Sequence, residues 1–128
     1  MKKIISMLLL IALTLAMAGC VAAVVAVGAG AAGTVAYIRG DFEAIKKESI
    51  EQLYDATLKA LESLKIPVFS KGQDALTAII EGRTAEDKKI VIKIEAQENN
   101  LSKLSIRIGT FGDQTQSGLI YKKINEFL

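Results

Sequence analysis

A chain with one cysteine and no histidine has few routes to chemistry. Cys20 is the sole thiol. Without an imidazole, a Ser-His-Asp or Cys-His nucleophile is excluded. So are the common zinc sites, which need several nitrogen or sulfur ligands. One cysteine also forms no internal disulfide. Carboxylates remain: Asp113 with Glu81 or Glu95 would be the pair for acid–base work, although nothing in their spacing sets two of them together. The one constellation to weigh is Gly109-Thr110-Phe111-Gly112-Asp113. Two glycines ahead of a helix offer backbone N–H groups to an anion. The Lys-Ser/Thr pair of a phosphate loop is absent, however, and Asp113 itself repels a phosphate. The stretch therefore reads as a tight turn and N-cap, with Phe111 plugging the core. No metal and no cofactor is expected. The net charge of +2, from 16 Lys+Arg against 14 Asp+Glu, is too small to point to nucleic acid.

What would place the thiol is the segment before it. Lys2 and Lys3 precede an uncharged apolar run, Ile4 to Met17, followed by small residues and Cys20. Basic start, apolar middle and small residues at the end form the pattern of a secretory signal peptide. Met17-Ala18-Gly19-Cys20 resembles the bacterial lipobox, with Met17 in place of the usual Leu. That resemblance implies cleavage between Gly19 and Cys20, diacylglyceryl attachment to the Cys20 thiol, and acylation of the new amino group. The alternative is an uncleaved membrane anchor with an incidental cysteine. One acyl chain holds a protein only marginally, whereas two or more anchor it stably. Removal of residues 1–19 takes Lys2 and Lys3 away, so the remaining 109 residues carry 14 charges of each sign. Val21 after the cysteine resembles outer-membrane sorting in two-membrane bacteria, which implies a domain facing the periplasm.

Residues 21–38 carry no charge and are rich in Ala, Val and Gly. As a helix they would span about 27 Å, close to a hydrocarbon thickness of about 30 Å. Gly28, Gly30 and Gly33 permit close helix packing in lipid. A membrane-dipping segment, a flexible tether and a segment packed on the folded domain are the three readings. Charge begins at Arg39-Gly40-Asp41. The expected organisation is a signal peptide over 1–19, a lipidated Cys20 with its membrane-proximal segment over 20–40, and a small domain over 41–128.

Within 41–128, residues 41–65 have helical periodicity. Ile50, Leu53, Tyr54, Thr57, Leu61 and Leu64 share one side, opposite Glu48, Glu51, Asp55, Lys59 and Glu62. Asp41 is the expected N-cap, and Pro67 ends the pattern. The period then becomes two. Strands are expected over 66–70, from Leu76 through Ala78 and Ile80, over 89–95 and over 103–108, with turns at 71–74, 85–88 and 98–100. Matching the inward sets puts Ile92 opposite Ile106, Ile94 opposite Leu104 and Glu95 opposite Lys103. A last helix runs to Leu128, with Ile120, Ile124 and Phe127 on one face. The expected fold is α+β, in the order α-β-β-β-β-α: an antiparallel sheet of three to four strands with two helices on one face.

The chain resembles a family of small uncharacterised bacterial lipoproteins. The residues that carry this are Gly19-Cys20 with the Ala/Val/Gly run, Ala36-Tyr37-Ile38-Arg39-Gly40, Ala56-Thr57 and Ala60-Leu61. Most specific is Ile106 through Asp113, followed by Ser117, Ile120 and Ile124. The resemblance implies an envelope protein of unknown role and no catalytic residues. Three functions are compared. The first is a non-enzymatic module that binds an envelope partner, its contact surface the wet sheet face (Thr77, Ile79, Glu81, Arg83, Val91, Lys93, Arg107). The second is a carboxylate enzyme. The third is a membrane assembly through residues 21–38. The lipid and the missing catalytic groupings favour the first.

Overall fold

The computed structural model describes residues 1–11 and 33–128. The chain divides into two units, Met1–Gly30 and Ala31–Leu128. In the first, residues 2–11 are helical (α1) with exposed side chains. Gly19, Cys20, Gly28 and Gly30 lie outside the described residues. No helix among those described is long and apolar enough to cross a membrane.

The second unit is α+β. Its strands are β1 (Val35–Ile38), β2 (Asp41–Lys46), β3 (Val68–Gln73), β4 (Thr77–Arg83), β5 (Lys89–Ala96) and β6 (Ser102–Ile108). Its helices are α2 (Ile50–Ser63) and α3 (Gln114–Glu126). The six strands form one antiparallel sheet in the order β1-β2-β6-β5-β4-β3. Both helices pack on the same face, over Phe42, Ala44, Ala78, Ile80, Ile90, Ile92, Ile94, Leu104, Ile106 and Ile108. They contribute Ile50, Leu53, Ala56, Ala60, Leu61, Ile120 and Ile124 to that core. Alternation along β5 and β6 drives the arrangement: Ile90, Ile92 and Ile94 on one strand and Leu104, Ile106 and Ile108 on the other share a face that must be covered.

Three expectations hold. Ile92 faces Ile106, Ile94 faces Leu104 and Glu95 faces Lys103, with Lys103 Nζ 3.3 Å from Glu95. The turn at 98–100 has Asn99 and Asn100 at φ 59° and 58°, the left-handed region that Asn tolerates. Ile50, Leu53, Thr57 and Leu61 are buried on one stripe of α2.

Other expectations are corrected. The sheet has six strands, not three or four, and the second unit begins β-β before its first helix. Asp41 caps no helix. Residues 41–46 form a strand between β1 and β6, because Phe42 and Ala44 alternate with Asp41, Glu43 and Ile45 and fill the core beside Ile106 and Leu104. The helix starts only at Ile50, behind a capping box: Ser49 Oγ accepts from the Gln52 N–H (3.2 Å), and the Ser49 N–H donates to Gln52 Oε1 (3.0 Å). Residues 71–73 continue β3 rather than turning. The turn comes at Asp74, whose Oδ1 accepts from the N–H groups of Leu76 and Thr77, both at 2.8 Å. Leu76 is thereby an exposed turn residue, not a core residue. Phe127 is exposed beyond the end of α3.

Candidate functional site

The strand β6 ends at Ile108 and is followed by Gly109, whose N–H donates to the Lys89 carbonyl at 2.8 Å. The chain then turns through Thr110, Phe111 and Gly112 into α3. Asp113 is the N-cap, its Oδ1 accepting from the Gln116 N–H at 2.9 Å. The expected turn and cap are therefore present. Phe111 does not plug the core, however: it is 89% exposed. The reason lies in what occupies the space beneath the turn, which is another turn.

Arg39 and Gly40 connect β1 to β2 with φ of 52° and 90°, a two-residue hairpin with both central residues left-handed. This hairpin tip sits against the Phe111-Gly112 backbone. A Cβ on Gly40 would lie 2.5 Å from the Phe111 carbonyl oxygen, and one on Gly112 would lie 2.2 Å from the Gly40 carbonyl oxygen. Gly112 also has φ 81°. No side chain fits at either position, so two backbones touch directly. Arg107 clamps the contact. Its Nη1 donates to the Arg39 carbonyl (2.9 Å) and to Asp41 Oδ1 (3.2 Å), and its Nη2 donates to the Thr110 carbonyl. One guanidinium thus ties the ends of β1, β2 and β6 together, a use of its planar fork that Lys could not reproduce.

Beside the clamp is an open cleft of about 630 Å³, lined by Arg83, Asp87, Lys88, Lys89, Val91 and Arg107 and by the turn from Ile108 to Gly112. Its four cations each have an anionic neighbour. Arg83 Nη1 is 3.1 Å from Asp87, Lys88 is 3.4 Å from Glu86, Lys89 is 3.0 Å from Glu81, and Arg107 is 3.2 Å from Asp41. The rim is charge-balanced and is no trap for a bare anion. The guanidinium of Arg83, which lines the cleft, lies 5.6 Å from the ring centroid of Phe69, which is itself exposed. The surface therefore presents two aromatic rings with an ion-paired cleft nearby.

Gly109, Thr110, Phe111 and Gly112 line the cleft and Asp113 caps the helix beyond it; Gly112 answers to backbone crowding, and Gly109 to its left-handed φ of 72°. Of the wet-face residues, Arg83, Val91 and Arg107 line the cleft; Thr77, Ile79 and Lys93 lie away from it. The carboxylates do not meet. Glu81 pairs with Val91 and Glu95 with Thr77, four residues apart along β5, or about 13 Å. Asp113 is occupied with its cap. Among the described residues, no three acidic or cysteine side chains are placed to hold a metal ion. The Arg39-Gly40 hairpin is the part of the site that sequence reasoning misses. The signal for the hairpin is present all the same: a residue followed by Gly, flanked by alternating residues.

Residues 3–127 match a family model described as "Protein of unknown function (DUF3568)". No curated protein matches the chain. The two stretches that meet at the clamp, Ala36–Gly40 and Ile106–Asp113, are among those that carry the resemblance drawn from the sequence.

Proposed function

The chain belongs to this family of proteins of unknown function, and from that premise we propose a lipid-anchored bacterial envelope protein whose second unit is a non-enzymatic docking module. The observation that carries the anchor is an order of residues: Lys2-Lys3, an uncharged apolar run, small residues, then the chain's one cysteine. Acylated Cys20 holds the lipid. Val21 supports the outer membrane of a two-membrane host, with the module in the periplasm.

Docking is supported by the cost of the clamp. Two left-handed glycine positions and a threefold-bonded arginine hold a turn whose most exposed residue is a phenylalanine. The backbone that carries the ring is already fixed, so little backbone entropy remains to be lost on binding. The chain passes Gly33 before β1, and the Phe111 backbone sits against the turn that follows that strand, about 20 Å from Gly33. The exposed ring is the surface we assign to another envelope component.

Intact-mass analysis of the protein extracted from its own membranes tests the anchor. The expected species lacks residues 1–19 and carries two or three acyl chains, and Cys20→Ser accumulates as the full-length precursor. A wild-type chain recovered with its first methionine and a bare thiol overturns the anchor. For docking, a photo-crosslinking residue in place of Phe111 is expected to capture one consistent envelope component that the same residue at Glu62 does not. Equal capture at both positions overturns it.

A further inference from the structure

The sheet has two edges, and they are finished differently. The β3 edge is protected. Pro67 precedes it, the register slips between Val68 and Ser70, and Lys71 stands within it. Bulges, prolines and edge lysines are the devices that stop strands from pairing with other chains. The β1 edge has none of them. Val35-Ala36-Tyr37-Ile38 is regular and uncharged, and Val35, Tyr37 and Ile38 are 44%, 36% and 45% exposed. Among the described residues, no strand lies on its outer side.

We propose that β1 is a self-recognition edge: two copies of this chain pair β1 to β1 in antiparallel fashion, joining their sheets across a twofold axis. Three observations select a second copy over other strands. First, the outward groups match. In the two-residue hairpin, Ile38 and Asp41 exchange hydrogen bonds, and the Ile45 N–H donates to the Thr34 carbonyl (3.0 Å), so residues 34, 36 and 38 face β2. Val35 and Tyr37 therefore turn their N–H and C=O groups outward. A dyad through Ala36 sets Val35 of each copy opposite Tyr37 of the other, giving four hydrogen bonds. Second, the charges permit it. The strand has none, and the nearest, on Arg39, falls opposite Gly33 of the second copy, so no like charges meet. Third, the assembly closes. Pairing consumes the one unprotected edge and leaves the guarded β3 edges outermost, so growth stops at two.

The contact is short. Four residues per copy fall well below the roughly 800 Å² per partner of a tight complex, which puts the expected dissociation constant in the micromolar range. This pairing uses Val35–Ile38 as a strand, so it excludes helix packing in lipid through those four residues, and it does not depend on acylation.

The test is sedimentation velocity of the full chain in detergent under reducing conditions. A reversible dimer is expected. Val35→Pro removes an outward N–H without touching the ladder to β2, and Tyr37→Lys adds a charge to the edge; each should weaken the dimer at least tenfold while leaving the circular dichroism unchanged. In a Cys20→Ser chain, Ala36→Cys should form a disulfide dimer on mild oxidation, since the two Ala36 positions face each other, whereas Ser70→Cys on the β3 edge should not. A monomer at about 100 µM, a dimer indifferent to both edge variants, or a disulfide dimer that forms more readily with Ser70→Cys than with Ala36→Cys overturns the proposal.

Discussion

At the scale of single residues, Gly112 and Phe111 are neighbours with opposite roles. Gly112 is left-handed and its missing Cβ makes room for the Gly40 carbonyl, so Gly112→Ala must either strain the turn or push the β1–β2 hairpin away. Backbone strain of this kind costs of order 1–3 kcal/mol, and urea denaturation should show a loss in that range. Phe111, 89% exposed, contributes little to the fold: Phe111→Ala should stay within about 0.5 kcal/mol of the native stability. A large loss from Phe111→Ala would mean the ring is buried after all. Sequence reasoning misplaces Phe111 because a phenylalanine between two glycines satisfies every local rule for a core plug. Only the arrival of Gly40, from the far end of the folded unit's sequence, fills the space beneath it. Arg107 is visible in the sequence as a wet-face residue, but its three acceptors belong to segments whose meeting no local pattern encodes.

At the scale of elements, the alternating strands are legible in the sequence and the first helix boundary is not. In β4, β5 and β6 the inward positions are apolar apart from Ser102, and the register is fixed by the need to bury them. Residues 41–49 carry a pattern compatible with either period, and Asp41 with Glu43 imitates a helix start. Tertiary pairing decides: Phe42 and Ala44 reach the core only as a strand beside β6. The helix then needs its own start, which Ser49 and Gln52 supply. Ser49→Ala should cost about 1 kcal/mol by removing an acceptor for an unpaired helical N–H, whereas Asp41→Ala should leave helix content unaltered in circular dichroism. If Asp41→Ala were the variant that reduced helix content, the helix would have to begin at Asp41 rather than behind Ser49. The strand β1 is hidden for a different reason. Four apolar residues at the end of an Ala/Val/Gly run look like more of the run until the Arg39-Gly40 turn folds them back.

At the scale of the whole molecule, the charge pattern sets how stability responds to pH. Nothing in the chain is a histidine, so the titrations that matter lie at the extremes. The N–H groups of Leu76 and Thr77 hold the Asp74 carboxyl below its ordinary 3.8. The Lys93 hydrogen bond, helped by Lys103 and opposed by partial burial, holds Glu95 below 4.5. The Lys123 hydrogen bond does the same for Glu126. Groups depressed in the folded state add stability that is fully present above their unfolded values and is lost as pH falls through the folded ones. Lys93 runs the other way. Its bond to Glu95 raises it above 10.5, so its contribution is present below that value and is lost as pH climbs beyond. The urea midpoint should therefore be flat from about pH 5.5 to about pH 8 and fall on the acid side of about pH 4.5. Asp74→Asn separates turn geometry from charge. An amide oxygen can still accept from Leu76 and Thr77, so the turn persists, but the variant should show a shallower acid limb than the wild type. A midpoint that moved sharply between about pH 6 and about pH 7 would require a titrating group of the histidine kind, which the folded unit does not contain. A molecule built this way is insensitive to pH across the neutral range, and its exposed ion pairs act through acid and alkaline limits alone.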